Sequence, residues 1–444
     1  MKILFLDIYK KSNSRISKDT AGGYGTENNL GDSILGQSLS YFVKKTIFWP
    51  NLSFVQLMQE FKSRNHVVSY KKHIGNKPNV EGYDVIFVCN SIVCFETEIK
   101  AIKNILKEKK VPIFLCGTFG EFAREQIPEG VNLITGNYEF LLEYLENNSL
   151  KLNDIFNIEY LKVNGGDADK LSLIDWENSN IEKTRNIILG KTKNYFPFIA
   201  SRGCPYSCRE YCTYPLAQGL KVKRESIDIT IEKLKKISNK YKSSHVIFRD
   251  PVFSINLKKS KELLKKIGDA KLNIEFSSEL HLNNIDDEFL ELCKYSKMNG
   301  LKFGIESAVE EVRDSVSRFS VTNDKQQIII NKIKNYGIKT VGMFILAQPT
   351  DTRDTCLKTI DYACSLNLDV AQFSIFTPYP GTPYYKKNIS KVKNTKFENF
   401  NQYQLVYNHQ TINEKEAREL LDMAYKKFIY SKLKNIFIRR TKSI

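Results

Sequence analysis

Nowhere among the 444 residues does an apolar run approach the roughly 18 positions that a membrane-spanning helix needs. The start, Met1-Lys-Ile-Leu-Phe-Leu-Asp7, is too short and too soon polar for a secretory signal, so a cytoplasmic location is expected. Histidine is scarce, with five in the chain and none between Cys204 and His245. A compact zinc site of mixed cysteine and histidine ligands around Cys204 therefore lacks local nitrogen donors, and only a distant ligand could complete one. Cysteine numbers nine, an odd count, which argues for free thiols and metal ligands over a disulfide framework. GxGxxG before a helix is also missing. The glycine-rich run Ala21-Gly-Gly-Tyr-Gly25 has a different spacing, so a dinucleotide is not indicated.

The formal charge of +17 is unevenly spread. Residues 386–444 hold 14 basic and 5 acidic side chains, or +9 of the total, while residues 1–150 hold 18 and 16. A chain rich in Lys and Asn acquires this sign without any polyanionic partner, so nucleic acid is not favoured as a partner.

At 42% hydrophobic content the chain can bury more than one core, and its length predicts several domains. Short apolar runs at 2–8, 66–70, 84–90, 111–117 and 132–136 read as strands. Between them Leu52/Val55/Met58/Phe61 and Ile99/Ile102/Leu106 have helical spacing. The alternation predicts a Rossmann-like, doubly wound parallel sheet over 1–150, with ligands at the strand ends near Asn90, Gly117 and Gly136. Residues 151–195 read as a linker. A second alternating series over 196–385 has strand candidates at 196–201, 245–249, 273–277, 301–305, 340–346 and 370–376, which predicts a partial (β/α)6 barrel of TIM type. Residues 386–444 read as a basic helical extension. Asn413-Glu-Lys-Glu416 looks like a capping box, and Ala417/Leu420/Leu421/Ala424/Phe428 form an apolar stripe.

The chemistry concentrates in Ser201-Arg-Gly-Cys-Pro-Tyr-Ser-Cys-Arg-Glu-Tyr-Cys-Thr-Tyr-Pro215, which follows the first barrel strand. Cys204, Cys208 and Cys212 are three thiols on one loop at the end where barrel enzymes keep their active sites. An iron–sulfur cubane held by three thiolates leaves one iron open to an exogenous ligand. Asp250, Glu279, Glu306 and Gln372 stand at or just past predicted strand ends on the same side, as candidate hydrogen-bonding groups or as structural polar residues. Cys293, Cys356 and Cys364 fall on apolar helix faces, and Cys89, Cys94 and Cys116 in or near strands, where core packing explains them.

The loop resembles the signature of radical SAM enzymes, CxxxCxxC with an aromatic residue before the last cysteine. Here the spacing is CxxxCxxxC, one residue longer. The segments Phe248-Arg-Asp-Pro-Val-Phe253, Phe303-Gly-Ile-Glu-Ser307, Phe344-Ile-Leu-Ala-Gln-Pro349 and Gln372-Phe-Ser-Ile-Phe-Thr-Pro378 extend the similarity to the cobalamin-binding branch, in which a Rossmann-like domain precedes the barrel. The resemblance implies a 4Fe-4S cluster on Cys204, Cys208 and Cys212. It implies S-adenosylmethionine bound near Tyr211, Glu306 and Ser307, with Asp250, Glu279 and Gln372 as candidate hydrogen-bonding partners from their strand-end position. It further implies cobalamin over Asn90, Gly117 and Gly136, although Asp-x-His-x-x-Gly, which would supply an imidazole to cobalt, does not occur. The chemistry implied is a 5′-deoxyadenosyl radical and methyl transfer to an unactivated carbon. The partners implied are a small-molecule, lipid or peptide substrate and an electron donor such as flavodoxin or ferredoxin, with a membrane-surface contact conceivable through the C-terminal helix. Cobalamin-dependent rearrangement, tRNA methylthiolation and a cobalamin- or metal-sensing module remain alternatives.

Overall fold

The computed structural model describes residues 1–46, 50–179, 194–241 and 244–441. Two six-stranded parallel sheets organise them. The first contains β1 (Lys2–Tyr9), β2 (Val67–Ile74), β3 (Val85–Cys89), β4 (Ile113–Cys116), β5 (Val131–Gly136) and β6 (Tyr160–Val163), in spatial order β2-β1-β3-β4-β5-β6. Every residue of β3 and β4 is buried, as expected of parallel strands covered on both faces. Alternation along β1 explains the covering. Ile3 and Phe5 share a core with Phe54 and Phe61 of α1 (Leu52–Ser63). Leu4, Leu6 and Ile8 share another with Ile99, Ile102 and Ile105 of α2 (Phe95–Glu108). The sheet is thus doubly wound, and its order reverses between β1 and β3, the crevice where such sheets take ligands.

One strand lies where a connecting segment was expected. Tyr160–Val163 pairs with β5 from Leu133↔Tyr160 to Gly136↔Val163, so the sheet runs on beyond residue 150. Four residues are too few to display a period, which is why this strand is silent in the sequence. Residues 180–193 of the same segment lie outside the described residues.

The second sheet runs β7 (Asn194–Phe198), β8 (Ser244–Phe248), β9 (Ile274–Leu280), β10 (Met298–Glu306), β11 (Lys339–Leu346) and β12 (Val370–Ile375), neighbours in sequence being neighbours in space. Helices α3 (Ile227–Lys240), α4 (Leu257–Asp269), α5 (Asp287–Tyr295), α6 (Asn323–Asn335) and α7 (Arg353–Ser365) connect them in turn. Each of α3, α4, α5 and α7 starts on a capping side chain, Ser226, Asn256, Asp286 and Thr352 respectively. On β9, Ile274, Phe276, Ser278 and Leu280 are buried while Glu275, Ser277 and Glu279 are only partly so. Period-two alternation therefore sends the apolar set outward under the helices and the polar set into the lumen. The result is a six-stranded partial barrel.

The C-terminal helix α8 (Glu414–Thr441) begins where its cap predicts, with the Glu416 amide donating to Asn413 Oδ1 at 2.9 Å. Ala417, Leu420, Leu421, Ala424 and Phe428 are all buried. Phe428 meets Phe373 of β12 edge to face, and the Tyr425 hydroxyl donates to the Phe373 carbonyl at 2.9 Å. The stripe is therefore covered by the barrel. No helix among the described residues is long and apolar enough to cross a membrane.

Candidate active site

The cysteine loop is shaped at its neck before any thiol is reached. Just past β7, the Ala200 amide donates to Asp250 Oδ1 at 2.9 Å, and the Ser201 hydroxyl donates to the other carboxylate oxygen. Ser201–Arg202 then pairs antiparallel with Lys223–Arg224, so the residues between leave and return through one two-stranded ladder. Arg202 reaches Glu139, in the first domain's sheet region, at 2.9 Å. Gly203 has φ +90°, and a Cβ there would stand 2.2 Å from the Lys221 carbonyl oxygen, so only glycine fits this corner.

Within the loop Ser207–Glu210 makes a short turn, after which the Tyr211 and Cys212 amides both donate to the Cys208 carbonyl, at 3.2 and 3.0 Å. The additional residue of CxxxCxxxC is taken up in this turn. Cys204 and Cys208 are buried and Cys212 is half-buried. The hydrogen bond from Cys212, and behind it the guanidinium of Arg318, bring the Cys208 thiol down to about 7 against the opposing effect of burial. Cys212 is pushed well up as the donor of that bond and by burial. Cys204 is raised by burial.

Arg318 is the local counter-charge. Its Nη1 lies 3.9 Å from Cys208 Sγ, its Nη2 donates to the Gly304 carbonyl at 2.9 Å, and its Nε stands 3.5 Å from Glu306 Oε1. Glu306 ends β10 with φ +68°, a left-handed conformation at a non-glycine residue, next to a shift in register against β11. Such a conformation costs on the order of 1–3 kcal/mol and persists where its surroundings hold it. Gly304 makes room: a Cβ there would meet Glu306 Oε1 at 2.4 Å. Burial raises the Glu306 carboxyl, opposed by Arg318.

The three cysteines open into a cavity of about 250 Å³ between the barrel lumen and a hairpin of the first domain, Arg15–Ser17 paired with Thr26–Asn28. Tyr211, Glu279, Glu306 and Gln372 line it with them. Tyr211 rests on Phe376, ring centroids 5.7 Å apart. Glu279 is already engaged by Arg249 at 2.9 Å and Lys302 at 3.2 Å. Burial would raise this carboxyl, and those two cations outweigh it and hold it low. Two expected residues stand elsewhere. Asp250 is committed to the loop neck, and Ser307 is buried with its hydroxyl 3.0 Å from that of Thr359. Among lining residues, Arg15, Asn28, Lys302, Arg318 and Gln402 were not anticipated. Lys302 lies just before the Gly304-Ile-Glu306 segment and Arg318 twelve residues past it, neither marked by any period of its own, and Arg15 belongs to another domain.

The first domain's strand ends meet the loop in a much tighter place. Gly117 and Gly136 line a cavity of about 40 Å³ with Asp19, Gly22, Asn51, Tyr214 and Arg249, which is room for a few waters. Asn90 does not reach it. Its Nδ2 donates to Glu98 at 2.9 Å, beneath a fully buried Lys18 that bridges Asp7 at 2.9 Å and Glu98 at 2.8 Å. The segment from Thr20 to Gly25 covers this crevice. A Cβ on Gly22 would be 2.9 Å from the Thr213 carbonyl oxygen of the cysteine loop. Arg249 clasps the residue just before this segment, donating through Nε to Asp19 Oδ2 and through Nη2 to the Asp19 carbonyl, both at 3.0 Å.

Residues 198–363 match the Radical SAM superfamily. An uncharacterized methyltransferase of Pyrococcus horikoshii is 29% identical over 192 residues, 43% of this chain and 41% of the relative. Bacteriochlorophyllide d C-12(1)-methyltransferase of Chlorobaculum tepidum is 24% identical over 220 residues, 49% of this chain and 48% of the relative. The chain thus spans less than half the length of these curated relatives. Among solved structures, TsrM of Kitasatospora setae, a radical S-adenosylmethionine methyltransferase with cobalamin and a [4Fe-4S] cluster bound, superposes with a TM-score of 0.65 at 12% identity over 97% of this chain and 88% of its own. OxsB, a cobalamin-dependent S-adenosylmethionine radical enzyme, gives 0.66 at 13% identity over 95% and 66%. The chain therefore carries a Radical SAM superfamily domain, set within a two-sheet fold that it shares with the cobalamin-dependent enzymes TsrM and OxsB.

Proposed function

We propose that this protein is a radical SAM enzyme of the methyltransferase type, acting in the cavity between the barrel lumen and the Arg15–Asn28 hairpin. The observation that carries the proposal is the cysteine loop itself, with three thiols on one glycine-pinned loop, opening into the cavity that Glu306, Arg318 and Gln372 also line. Among the described residues no three His, Cys, Asp or Glu side chains converge on one ion position. Three thiols on one loop suit a 4Fe-4S cubane, whose three protein sulfurs bind three different irons and leave the fourth open. Cys204, Cys208 and Cys212 would hold it. When bound and reduced, such a cluster would supply the electron for reductive cleavage of S-adenosylmethionine, the source of a hydrogen-abstracting 5′-deoxyadenosyl radical.

The chain's own part in this chemistry is containment and charge. Arg318 offsets the negative charge that the loop acquires when its thiols ionise, and Asp250 and Gly203 keep the loop's neck closed. Tyr211, packed on Phe376, lines the cavity with an apolar face that would help to keep water from a radical. The covered crevice does not accommodate a corrin as it stands: about 40 Å³ over Gly117 and Gly136 is far below a cofactor-sized pocket. The shared fold and the methyltransferase names of the relatives support cobalamin as second cofactor. Its entry would require residues 20–25 to move off the strand ends.

Anaerobic reconstitution tests the reading. About four irons per chain are expected, together with 5′-deoxyadenosine on reduction in the presence of S-adenosylmethionine, and Cys208→Ala should abolish both. An intact cluster that yields no 5′-deoxyadenosine would overturn the proposal. About eight irons would favour the methylthiotransferase alternative. Protein made with ample cobalamin uptake should carry cobalamin, and its absence beside an intact cluster would remove the methyl-transfer version.

A further inference from the structure

Four cations line the central cavity, and three of them are answered. Arg249 has Asp19 and Glu279, Lys302 has Glu279, and Arg318 has Glu306. Arg15 has no carboxylate within ion-pair distance among the described residues. Among the described residues its side chain makes one hydrogen bond, from Nε to Asn28 Oδ1 at 2.8 Å, across the hairpin ladder. Asn28 is itself oriented, since its Nδ2 donates to the Tyr403 hydroxyl at 2.7 Å and so turns its oxygen toward Arg15. The two Nη groups of Arg15 are left to the cavity that Cys204, Cys208 and Cys212 share.

An arrangement of this kind is costly if it serves the fold alone. A half-buried guanidinium without a counter-ion loses part of its solvation, which one neutral hydrogen bond does not fully restore. Burial, with Arg249 nearby as a like charge, brings the Arg15 group down to about 10. A glutamine could bond Asn28 without that cost, whereas a planar fork of free N–H groups suits an oxyanion.

We propose that Arg15, aimed by Asn28 and Tyr403, receives an anionic group of the substrate, a carboxylate or a phosphate, and so orients the substrate toward the cysteine loop. The inference rests on the radical SAM reading for the identity of the cavity, and it names the substrate class for it. The segment that carries Arg15 also carries Asp19, which Arg249 ties to the barrel, so the anion site and the cysteine loop are held in one frame.

Binding rather than turnover tests this. Phenylacetate, phenyl phosphate and neutral phenylacetamide are titrated by calorimetry into anaerobically reconstituted protein saturated with S-adenosylmethionine. At least one anion should bind about tenfold or more tighter than the amide, the size of one charge-assisted contact, and which anion does so separates carboxylate from phosphate. Arg15→Gln should erase that preference, Arg15→Lys should keep most of it, and Arg15→Gln should unfold no earlier than wild type because an unanswered, half-buried charge has been removed. Equal binding of anions and amide, a preference that survives Arg15→Gln, or an Arg15→Gln protein that fails to fold would each overturn the proposal. So would a tenfold loss of S-adenosylmethionine affinity in Arg15→Gln, since Arg15 would then serve the methionine carboxylate. A protein that binds the anions but forms no 5′-deoxyadenosine would sink the radical reading and leave the anion site standing.

Discussion

Replacing Arg249 by methionine removes a guanidinium that holds the first domain's covering segment to the barrel. Two carboxylates lose their partner unequally. Asp19 keeps only the Leu52 amide at 2.9 Å, while Glu279 keeps Lys302 at 3.2 Å. Breaking a buried ion pair from one side costs roughly 3–5 kcal/mol. Because Lys302 still answers Glu279, Arg249→Met should fall at the lower end, about 3 kcal/mol. Most of that loss is the exposed cost of Asp19, so adding Asp19→Asn should recover about 2 kcal/mol in a double-mutant cycle. Urea unfolding under anaerobic conditions, followed through the first transition, measures each value.

The same variant has a pH signature whose sign can be worked out. Asp19 already lies above the ordinary carboxylate range, because burial outweighs Arg249 and the Leu52 amide. Without Arg249 it rises further. An acid whose folded value is raised favours the fold below its unfolded value and loses that contribution as pH climbs through the folded one. The deficit of Arg249→Met against wild type should therefore be smaller at pH 5 than at pH 8. A loss under about 1 kcal/mol, or effects of Arg249→Met and Asp19→Asn that add within about 0.5 kcal/mol, would refute the clasp.

Gly203→Ala should lower iron incorporation on reconstitution and cost about 1–3 kcal/mol, because the new Cβ meets the Lys221 carbonyl in a left-handed backbone. Unchanged iron content and stability would remove the corner from the account of the loop. His281 is buried with its Nε2 2.9 Å from the Phe319 carbonyl oxygen. Burial and then Arg318 push its imidazole down to about 4. A base held below its unfolded value stabilises the fold above about pH 6.5 and loses that contribution as pH falls toward the folded value, at up to about 1.4 kcal/mol per unit. Wild type should thus show a steeper loss of stability from pH 6.5 to 4.5 than His281→Gln, and parallel slopes would exclude the effect.

What local sequence encodes is the face a residue presents, and that much was legible. Short strand-like runs alternating with helical patterns located all six barrel strands, helical spacing located α1 and α2, and Asn413 marked the start of α8. The three cysteines were legible for the same reason, since covalent neighbours on one loop need no tertiary structure to be close. Pairing across space is a different quantity. Arg318 reaches Cys208 from 110 residues away and Arg249 reaches Asp19 from 230. No period records either meeting. Polar groups at strand ends show the same limit. Glu279, Glu306 and Gln372 do line the cavity, yet Asp250 is consumed by the loop neck, Ser307 by Thr359 and Asn90 by Glu98. A sequence shows that such a group stands at a strand end. Which partner satisfies it is decided by whatever backbone or side chain packing brings within hydrogen-bond reach. The sequence alone determined two parallel sheets and a trio of thiols after the first barrel strand. Tertiary structure alone decided that a segment of the first domain covers its own crevice and that Arg15 faces those thiols without a counter-ion, because burial and charge compensation are properties of the assembled chain.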